Sequence, residues 1–220
     1  MTDIHPAFDW HEVARLALTS RMLDELEEQE LVPQGFINYQ FSARGHELGQ
    51  LLLAQLLDHP FDAASVYYRS RPFVLASGLT IEEALASDMA RATSINGGRD
   101  IGVVFQLPRR GRALILPLAA DVGSQYTPAV GWAQAINYRV NVLGESHLSD
   151  SMAVVFGGDG SVASNGFWSA LTIATTLELP ILFVIEDNHY AISVQGPTQT
   201  PGSSIAANLA AFRNLAIWDG

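Results

Sequence analysis

The strongest constraint on the fold is a pair of short apolar runs, each followed by polar residues. The first run covers residues 151–156 and leads into Gly-Asp-Gly at 158–160, and the second covers 181–185 and leads into Glu-Asp-Asn. Asn188 follows Asp159 by 29 residues, which is enough for a loop, a crossover helix and a return strand. Parallel strands joined in this way end at the same edge of a sheet. The sequence therefore predicts a β-α-β unit in which Asp159 faces Asn188.

The carboxylate of Asp159 and the amide oxygen of Asn188 are ligands that suit a hard cation such as Mg²⁺. Such a cation could hold a phosphorylated cofactor. The same glycines also match the dinucleotide fingerprint G-x-G-x-x-A at 158–163, with Glu186 or Asp187 for the ribose. In that alternative the Asp159 carboxylate would meet a pyrophosphate of the same charge, and a plain strand-to-helix turn is the third alternative. The metal interpretation is favoured because it accounts for Asp159 and Asn188 together.

Gly-Asp-Gly at 158–160 followed by Asn188 resembles the thiamine diphosphate motif. The stretch from 179 to 194 resembles, more specifically, the alpha subunit of the decarboxylating component of 2-oxo acid dehydrogenase complexes. The segments 45–47, 68–69 and 122–131 also resemble this family. Taken together, the resemblance covers roughly residue 12 to the end of the chain. The resemblance implies an α/β fold with three layers, α/β/α, and a mostly parallel sheet, which is the diphosphate-binding domain of thiamine enzymes.

The resemblance also implies a set of cofactor and metal ligands. Mg²⁺ would be bound by Asp159, Asn188 and the backbone carbonyl of Tyr190. Tyr68 and Arg69 match a pair that contacts the diphosphate in the family, and a guanidinium fork suits phosphate oxygens. The alternative is a surface arginine beside a core tyrosine. The candidate cofactor-binding residues are Tyr68, Arg69, Gly158, Asp159, Gly160, Ser161 and Asn188.

The activity implied by the resemblance is oxidative decarboxylation of a 2-oxo acid, with transfer of the acyl group to a lipoyl carrier on an acyltransferase core. In the family the glutamate that activates the cofactor belongs to a beta subunit. The chain is therefore expected to form half of an active site, to need a beta subunit or a fused beta half in a heterotetramer, and to be inactive alone. It ends at Gly220, before the family's pattern does, and is expected to be a fragment or a natural short form. A nicotinamide-dependent Rossmann oxidoreductase and a catalytically silent interaction module are the alternatives.

Composition narrows the possible functions further. The chain has no cysteine, and all 12 of its basic residues are arginine. Lysine Schiff bases, Walker-type phosphate loops and cysteine-based metal sites are therefore excluded. A formal net charge of −11 disfavours nucleic acid as a partner. No apolar run reaches the length of a membrane span and no signal-like segment is found, so a cytoplasmic protein without a membrane partner is expected.

The length favours one α/β domain over 1–220, incomplete at its C-terminus, with a helical N-terminal segment at 10–57. In the first helix the acidic residues, Asp24 and Glu27 among them, are expected to form a solvated face opposite the leucines. Ser42 is expected to cap the second helix, and residues 80–83 form a capping box for the third. Residues 94–122 are expected to be irregular. Helices are predicted at 10–31, 42–57, 80–93, 128–142 and 205–212, and a further strand at 215–218.

Several weaker candidates each have a structural alternative. The pair His46-Glu47 matches a family segment or forms a polar cluster at a helix start. Ser124 and Gln125 match a segment that lies near a monovalent cation in the family, or they form an ordinary helix cap. The three arginines within 109–112 would face a partner or a substrate carboxylate, or else lie in a solvated loop.

Residue 189 is a departure from the family pattern. His189 stands where relatives often have glycine, directly before the expected carbonyl ligand Tyr190. A side chain at this position is expected to require a backbone that avoids positive φ, since only glycine adopts that region without a steric cost.

Overall fold

A computed structural model describes residues 7–99 and 106–220 of the chain. The chain divides into two compact units, the first formed by Met1–Asp62 and Tyr67–Pro117 and the second by Ala63–Val66 and Leu118–Gly220. Part of the predicted irregular segment, residues 100–105, lies outside the described ranges. The organisation of 1–220 as a single domain stays a prediction.

The first unit is largely helical, as predicted for residues 10–57. Its helices are α1 (Trp10–Leu26), which continues as a wider turn over Glu27–Leu31, α2 (Glu47–Leu56), α3 (Arg71–Ala76) and α4 (Ile81–Asp88). The predicted capping box of α4 is confirmed, since Thr80 Oγ1 accepts from the backbone N–H of Glu83 at 3.1 Å and the Glu83 carboxylate accepts from that of Thr80 at 3.0 Å. The helix ends before residue 93 because Ala90 has a φ of 50°, outside the right-handed helical region. No described helix is both long and apolar enough to cross a membrane.

Two predictions about the first two helices are wrong, and both errors involve one carboxylate. The second helix begins at Glu47 rather than after a cap at Ser42, because the Ser42 hydroxyl donates to Asp24 Oδ2 at 2.6 Å. Asp24 and Glu27 do not lie on a solvated face, since each is only 1% exposed. Their carboxylates contact the guanidinium of Arg71, which begins α3.

Arg71 is the centre of a buried charge cluster in the first unit. Its guanidinium lies 3.2 Å from Asp24 Oδ1, 2.8 Å from Glu27 Oε2 and 3.0 Å from Asp88 Oδ2, and Arg71 is 4% exposed. Burial raises the pKa of Asp88 to about 8; Arg71 opposes this rise and the adjacent Glu27 carboxyl adds to it. A hydrogen bond between the Asp88 and Glu27 side chains also favours the protonated form of Asp88. The cluster thus holds three acidic side chains around one cation, and the raised pKa of Asp88 favours its neutral form at pH 7.

The three arginines within 109–112 bind groups of the first unit itself. Arg109 donates to two backbone carbonyl oxygens at 2.7 and 2.8 Å, Arg110 pairs with Glu83 at 2.7 Å, and Arg112 pairs with Glu12 at 2.7 Å. Arg110 is exposed, and a role of the segment toward a partner or a substrate carboxylate stays a prediction. The position of the segment is fixed by contacts that tie it to the helices of the unit.

The second unit contains parallel strands β1 (Ala63–Ser65), β3 (Ala153–Gly158) and β4 (Ile181–Glu186), with β3 in the middle. A short strand β2 (Leu114–Ile115) belongs to the first unit. The pairing of β3 with β4 runs from Ala153 opposite Ile181 to Gly158 opposite Glu186, so both strands end at the same edge. The predicted β-α-β unit and the α/β class with a parallel sheet are confirmed. The predicted strand at 215–218 is wrong, because that segment has no regular structure.

Helices cover one face of this sheet. The remaining elements of the unit are α5 (Tyr126–Asn141), α6 (Asn165–Thr176), the hairpin β5 (Tyr190–Ala191) and β6 (Val194–Gln195), α7 (Gly196–Gln199) and α8 (Ile205–Leu209). The inward side chains of β3, Ala153 and Val155, are buried in one core with residues of α5 and α6. Burial of such apolar area stabilises the unit by about 25 cal/mol per Å². This core fixes the sheet edge at which β3 and β4 end.

Candidate functional site

The carboxylate of Asp159 is buried at the carboxyl end of β3. It begins a short helical turn, Asp159–Ala163, and is 3% exposed. Its Oδ2 accepts a hydrogen bond from Gln199 Nε2 at 2.7 Å, and the backbone N–H groups of Gly160 and Asp159 also bond to the carboxylate. Burial raises the pKa of Asp159 and the negative charge of Asp187 raises it further, while the backbone bonds lower it. The surroundings hold the group in place, and their electrostatics favour a bound cation.

The loop after β4 is built from two successive turns closed by side chains. Asp187 Oδ1 accepts from the backbone N–H of His189 at 2.7 Å, and Asn188 Oδ1 accepts from that of Tyr190 at 3.0 Å. Both are turns in which an Asp or Asn side chain replaces a backbone acceptor. His189 has a φ of 64°, so the expectation that its backbone avoids positive φ is wrong. Histidine is among the residues enriched in this region, and the bond to Asp187 holds it there.

An open cleft of about 340 Å³ lies beside these two loops in the second unit. Two acidic side chains line it, which gives it a negative potential suited to a cation. Asn188 does not line the cleft, although its oxygen keeps a second lone pair after bonding to Tyr190. The lining includes Asp159, Asp187, His189, Tyr190, Gln195 and Thr200.

The glycines and the serine of the motif keep the turn after β3 tightly packed. A Cβ on Gly160 would lie 2.5 Å from Cβ of Ala191, so only glycine allows the hairpin to approach this closely. The Ser161 hydroxyl is 2.5 Å from the carbonyl oxygen of Gly158 and 2.5 Å from the hydroxyl of Tyr126. Burial raises the pKa of Tyr126, which keeps it a neutral hydrogen-bonding group. The Ser161 side chain thus stabilises the turn, and its role toward a cofactor stays a prediction.

Tyr68 and Arg69 belong to the first unit. Arg69 Nη1 donates to the backbone carbonyl of Ser42 at 2.8 Å, and its Cζ lies 5.4 Å from the centroid of the Tyr68 ring. The carbonyl of Arg69 accepts from Gln50 Nε2 at 3.0 Å. A guanidinium has five N–H donors, so these contacts orient the side chain and leave it able to bind an anion. The contact with a diphosphate stays a prediction.

The weaker candidates have structural roles. Gln125 Oε1 accepts from the backbone N–H of Gly123 at 3.0 Å, and its Nε2 donates to the carbonyl of Phe156 at 3.2 Å. Ser124 Oγ donates to a backbone carbonyl of the preceding turn. Gln125 occupies the N-cap position of α5, but its side chain makes no capping hydrogen bond, so the helix cap expected from the sequence is found in position only. The monovalent cation near 124–125 stays a prediction. Glu47 likewise pairs with Arg21 at the start of α2.

Sequence reasoning did not find Gln199, the side chain bonded to Asp159. It lies 40 residues further on, in the four-residue helix α7, and no spacing in the sequence links the two. Among residues 7–99 and 106–220, no group of three or more His, Cys, Asp or Glu side chains is arranged to hold a metal. The candidate ligands are of another composition: one carboxylate, one amide and one backbone carbonyl, all hard oxygen donors of the type that Mg²⁺ prefers.

Comparisons with known proteins identify the family. The model of the dehydrogenase E1 component matches residues 14–216. The chain is 32% identical over 193 residues to the 2-oxoisovalerate dehydrogenase subunit alpha of Bacillus subtilis (strain 168), a match that covers 87% of this chain and 55% of that protein. It is 27% identical over 187 residues to the pyruvate dehydrogenase E1 component subunit alpha of Staphylococcus aureus (strain Mu50 / ATCC 700699), covering 85% and 45%.

A mitochondrial 2-oxoisovalerate dehydrogenase subunit alpha of Caenorhabditis elegans is 27% identical over 179 residues, covering 81% of this chain and 39% of that protein. The chain thus spans about half the length, or less, of these curated relatives. The family model, in contrast, matches nearly all of it. The chain belongs to the dehydrogenase E1 component family.

Proposed function

We propose that this chain is the alpha half of a thiamine diphosphate- and Mg²⁺-dependent 2-oxo acid dehydrogenase. The observation that carries the proposal is the buried Asp159 carboxylate at the end of β3, in a cleft bordered by the loop after β4, within a chain of this family. The printed names of the relatives support the 2-oxo acid class of substrate. The proposed reaction is decarboxylation followed by transfer of the acyl group to a lipoyl carrier.

The predicted ligand residues have side chains and backbone groups of the types that the proposed cofactor needs. The Asp159 carboxylate would bind Mg²⁺ directly, and the Asn188 amide oxygen and the Tyr190 carbonyl would complete the protein's share of the ligands. Arg69 and Tyr68 would contact the diphosphate, because a guanidinium matches phosphate oxygens. When bound, thiamine diphosphate supplies the electron sink for loss of CO₂ from the substrate.

The contribution of the chain's own residues is binding and orientation. Burial of Asp159 strengthens its attraction for a cation, because charges interact more strongly away from bulk water. The negative charge of Asp187 adds to that attraction. Activation of the cofactor would come from a glutamate on a beta subunit or a fused beta half, and the acyl group would go to the lipoyl-bearing acyltransferase core. These partners are part of the proposal.

The nicotinamide alternative receives less support from the start of α6, where a Rossmann fold binds pyrophosphate. Ser164 caps that helix by accepting from the backbone N–H of Phe167 at 3.2 Å. A Cβ on Gly166 would lie 2.3 Å from the carbonyl oxygen of Gly123, so another segment already packs against this helix end. This packing leaves less room for a dinucleotide pyrophosphate at the start of α6, which supports the metal site over the nicotinamide alternative.

The proposal is tested by calorimetry with thiamine diphosphate, with and without Mg²⁺, on the chain alone and with a co-expressed beta subunit. Asp159→Ala should abolish Mg²⁺-dependent binding because it removes the only charged ligand, whereas Asp150→Ala, at an exposed position before β3, should bind like the wild type. Unchanged affinity in Asp159→Ala contradicts the metal site. NAD binding that needs no Mg²⁺ would favour the Rossmann alternative instead.

Arg69→Ala provides a separate test of the diphosphate contact. The affinity for thiamine diphosphate should fall about tenfold, by the ~1.4 kcal/mol that a charge-assisted hydrogen bond contributes, while the affinity for thiamine should stay the same. Titrating both ligands into the same variant makes the comparison. Equal weakening of the two would contradict the assigned role.

A further inference from the structure

We infer that Gln199 is a positioning residue that orients the Asp159 carboxylate toward a bound cation. The inference rests on the proposed function and deepens it, since it adds a residue behind the metal ligand. Gln199 Nε2 donates to Asp159 Oδ2 at 2.7 Å. It is the side-chain donor that the structure shows on this buried carboxylate, beside the backbone N–H groups of Asp159 and Gly160.

The geometry around Gly160 explains how Gln199 reaches this carboxylate. A Cβ on Gly160 would lie 3.5 Å from Gln199 Oε1 and 2.5 Å from Cβ of Ala191, so the amide of Gln199 passes close over the glycine backbone. A Cβ at 160 would push Ala191 away, whereas Gln199 Oε1 would be in ordinary van der Waals contact with it. The glycine that follows Asp159 therefore lets the hairpin pack against the turn beside the Gln199 amide.

Helix α7, which carries Gln199, is tied to the loop after β4. The backbone N–H of Gly196 donates to the carbonyl of His189 at 2.7 Å, and that of Thr200 donates to the carbonyl of Gly196 at 2.8 Å. Gly196 is buried. One continuous set of hydrogen bonds thus runs from the loop that carries Asn188 and Tyr190, through α7, to the Asp159 carboxylate.

The orientation matters because a carboxylate has about four lone-pair positions, and a cation needs one of them aimed at it. A donor on Oδ2 restricts the rotation of the group, and together with the backbone N–H groups of Asp159 and Gly160 it fixes which of the remaining lone-pair positions can bind the metal. Partners of this kind behind a metal ligand typically change metal affinity by about 10–100-fold when they are removed. The neutral amide also avoids adding a further negative charge next to Asp159 and Asp187.

The test compares Gln199→Met with Gln134→Met in the full chain, with and without a co-expressed beta subunit. Methionine keeps the length of the side chain and removes the donor. Gln134 is the matched control, because it is exposed on α5 of the same unit and does not line the cleft. Mg²⁺ is titrated by calorimetry at saturating thiamine diphosphate, and Mn²⁺ binding is followed by its magnetic resonance signal.

We expect Gln199→Met to weaken Mg²⁺ and Mn²⁺ binding about 10–100-fold, with a metal-free melting temperature close to that of the wild type. Gln134→Met should retain wild-type metal affinity. A merely structural role for Gln199 would lower the metal-free melting temperature instead and leave the Mg²⁺ affinity unchanged, and that result overturns the inference.

Asp159→Ala in the same series separates this inference from the proposed function. If Asp159→Ala loses metal binding and Gln199→Met does not, the inference is wrong and the metal site stands. If Asp159→Ala binds metal normally, the metal site itself is wrong, and the inference falls with it. Should Gln199→Met fail to fold, Gln199→Asn keeps the amide but shortens its reach, and it must lower Mg²⁺ affinity for the inference to hold.

Discussion

Buried carboxylates occur in both units, and their neighbours differ. In the first unit, Asp24, Glu27 and Asp88 surround the guanidinium of Arg71, so the chain supplies the counter-charge. In the second unit, the neighbours of Asp159 are an amide, a second carboxylate and the side chain of His189. Burial of an uncompensated charge is costly. The comparison supports a scaffold role for the first group, and the second group is the one for which we propose a cation that the chain does not supply.

Removing the counter-charge of the first cluster should have the largest effect. Arg71→Met leaves the buried acidic side chains of Asp24, Glu27 and Asp88 without their cation, so the free energy of unfolding should fall by about 3–5 kcal/mol. Urea denaturation at pH 7 measures this change in the free energy of unfolding. Arg44→Met is the matched control, because Arg44 pairs with Glu28 on the surface and such pairs contribute about 0–1 kcal/mol. Equal losses in the two variants would show that the Arg71 cluster is not a stabilising centre.

The raised pKa of Asp88 gives the cluster a pH dependence. Its pKa rises from 3.8 to about 8 on folding, so the folded state binds the proton more tightly than the unfolded state. Stability from this group is fully present below pH 3.8 and is lost as the pH rises through about 8, with a slope of up to ~1.4 kcal/mol per pH unit.

Asp88→Asn imitates the protonated form and should flatten that slope between pH 5 and pH 8, roughly the interval over which the group would otherwise lose its contribution. Urea midpoints measured across this interval give the slope for each protein. Glu82→Gln, at an exposed position on the same helix, should keep the wild-type slope. If the slope for Asp88→Asn equals the wild-type slope, Asp88 is not the group whose protonation causes the pH dependence of stability.

The smallest effect on stability, and the one of opposite sign, is expected at Asp159. Asp159→Asn removes a buried negative charge beside Asp187 and keeps an oxygen that accepts from Gln199. The free energy of unfolding should rise by about 1 kcal/mol, as is common when a functional site loses its strain, while Mg²⁺-dependent cofactor binding disappears. Denaturation and calorimetry on the same preparation measure both. A loss of stability like that of Arg71→Met would remove the contrast between the two groups.

The parts of the fold that follow from local pattern were predictable. The alternation of apolar and polar stretches around β3 and β4 led directly to the parallel pair and to the shared edge beyond Gly158 and Glu186. The capping box at Thr80 was equally local, since both partners lie within four residues. In each case the sequence contains the interacting groups at a fixed, short spacing.

The failures involve partners that are distant in the sequence. The acidic residues of α1 were predicted to face solvent because their buried partner, Arg71, lies 47 residues beyond Asp24. No pattern in the sequence near α1 indicates this ion pair. Ser42 was expected to cap a helix, yet its hydroxyl donates a hydrogen bond to Asp24, 18 residues earlier in the sequence. The contact between Gln199 and Asp159 could not be predicted for the same reason, since the two residues are 40 positions apart. Burial decides which of these pairs form, and burial depends on the whole fold.

The division of the chain has a consequence for the order of folding. β1 belongs to the second unit, yet Ala63 pairs with Ala153, 90 residues later, and the Tyr67–Pro117 part of the first unit lies between them in the sequence. On the ribosome, β1 is made well before its partner strand exists. The closing of so long a loop has an entropic cost, and pairings of this range form slowly. The first unit can therefore fold before β1 pairs with β3. The sheet that carries Asp159 can be completed only after β3 has been synthesised.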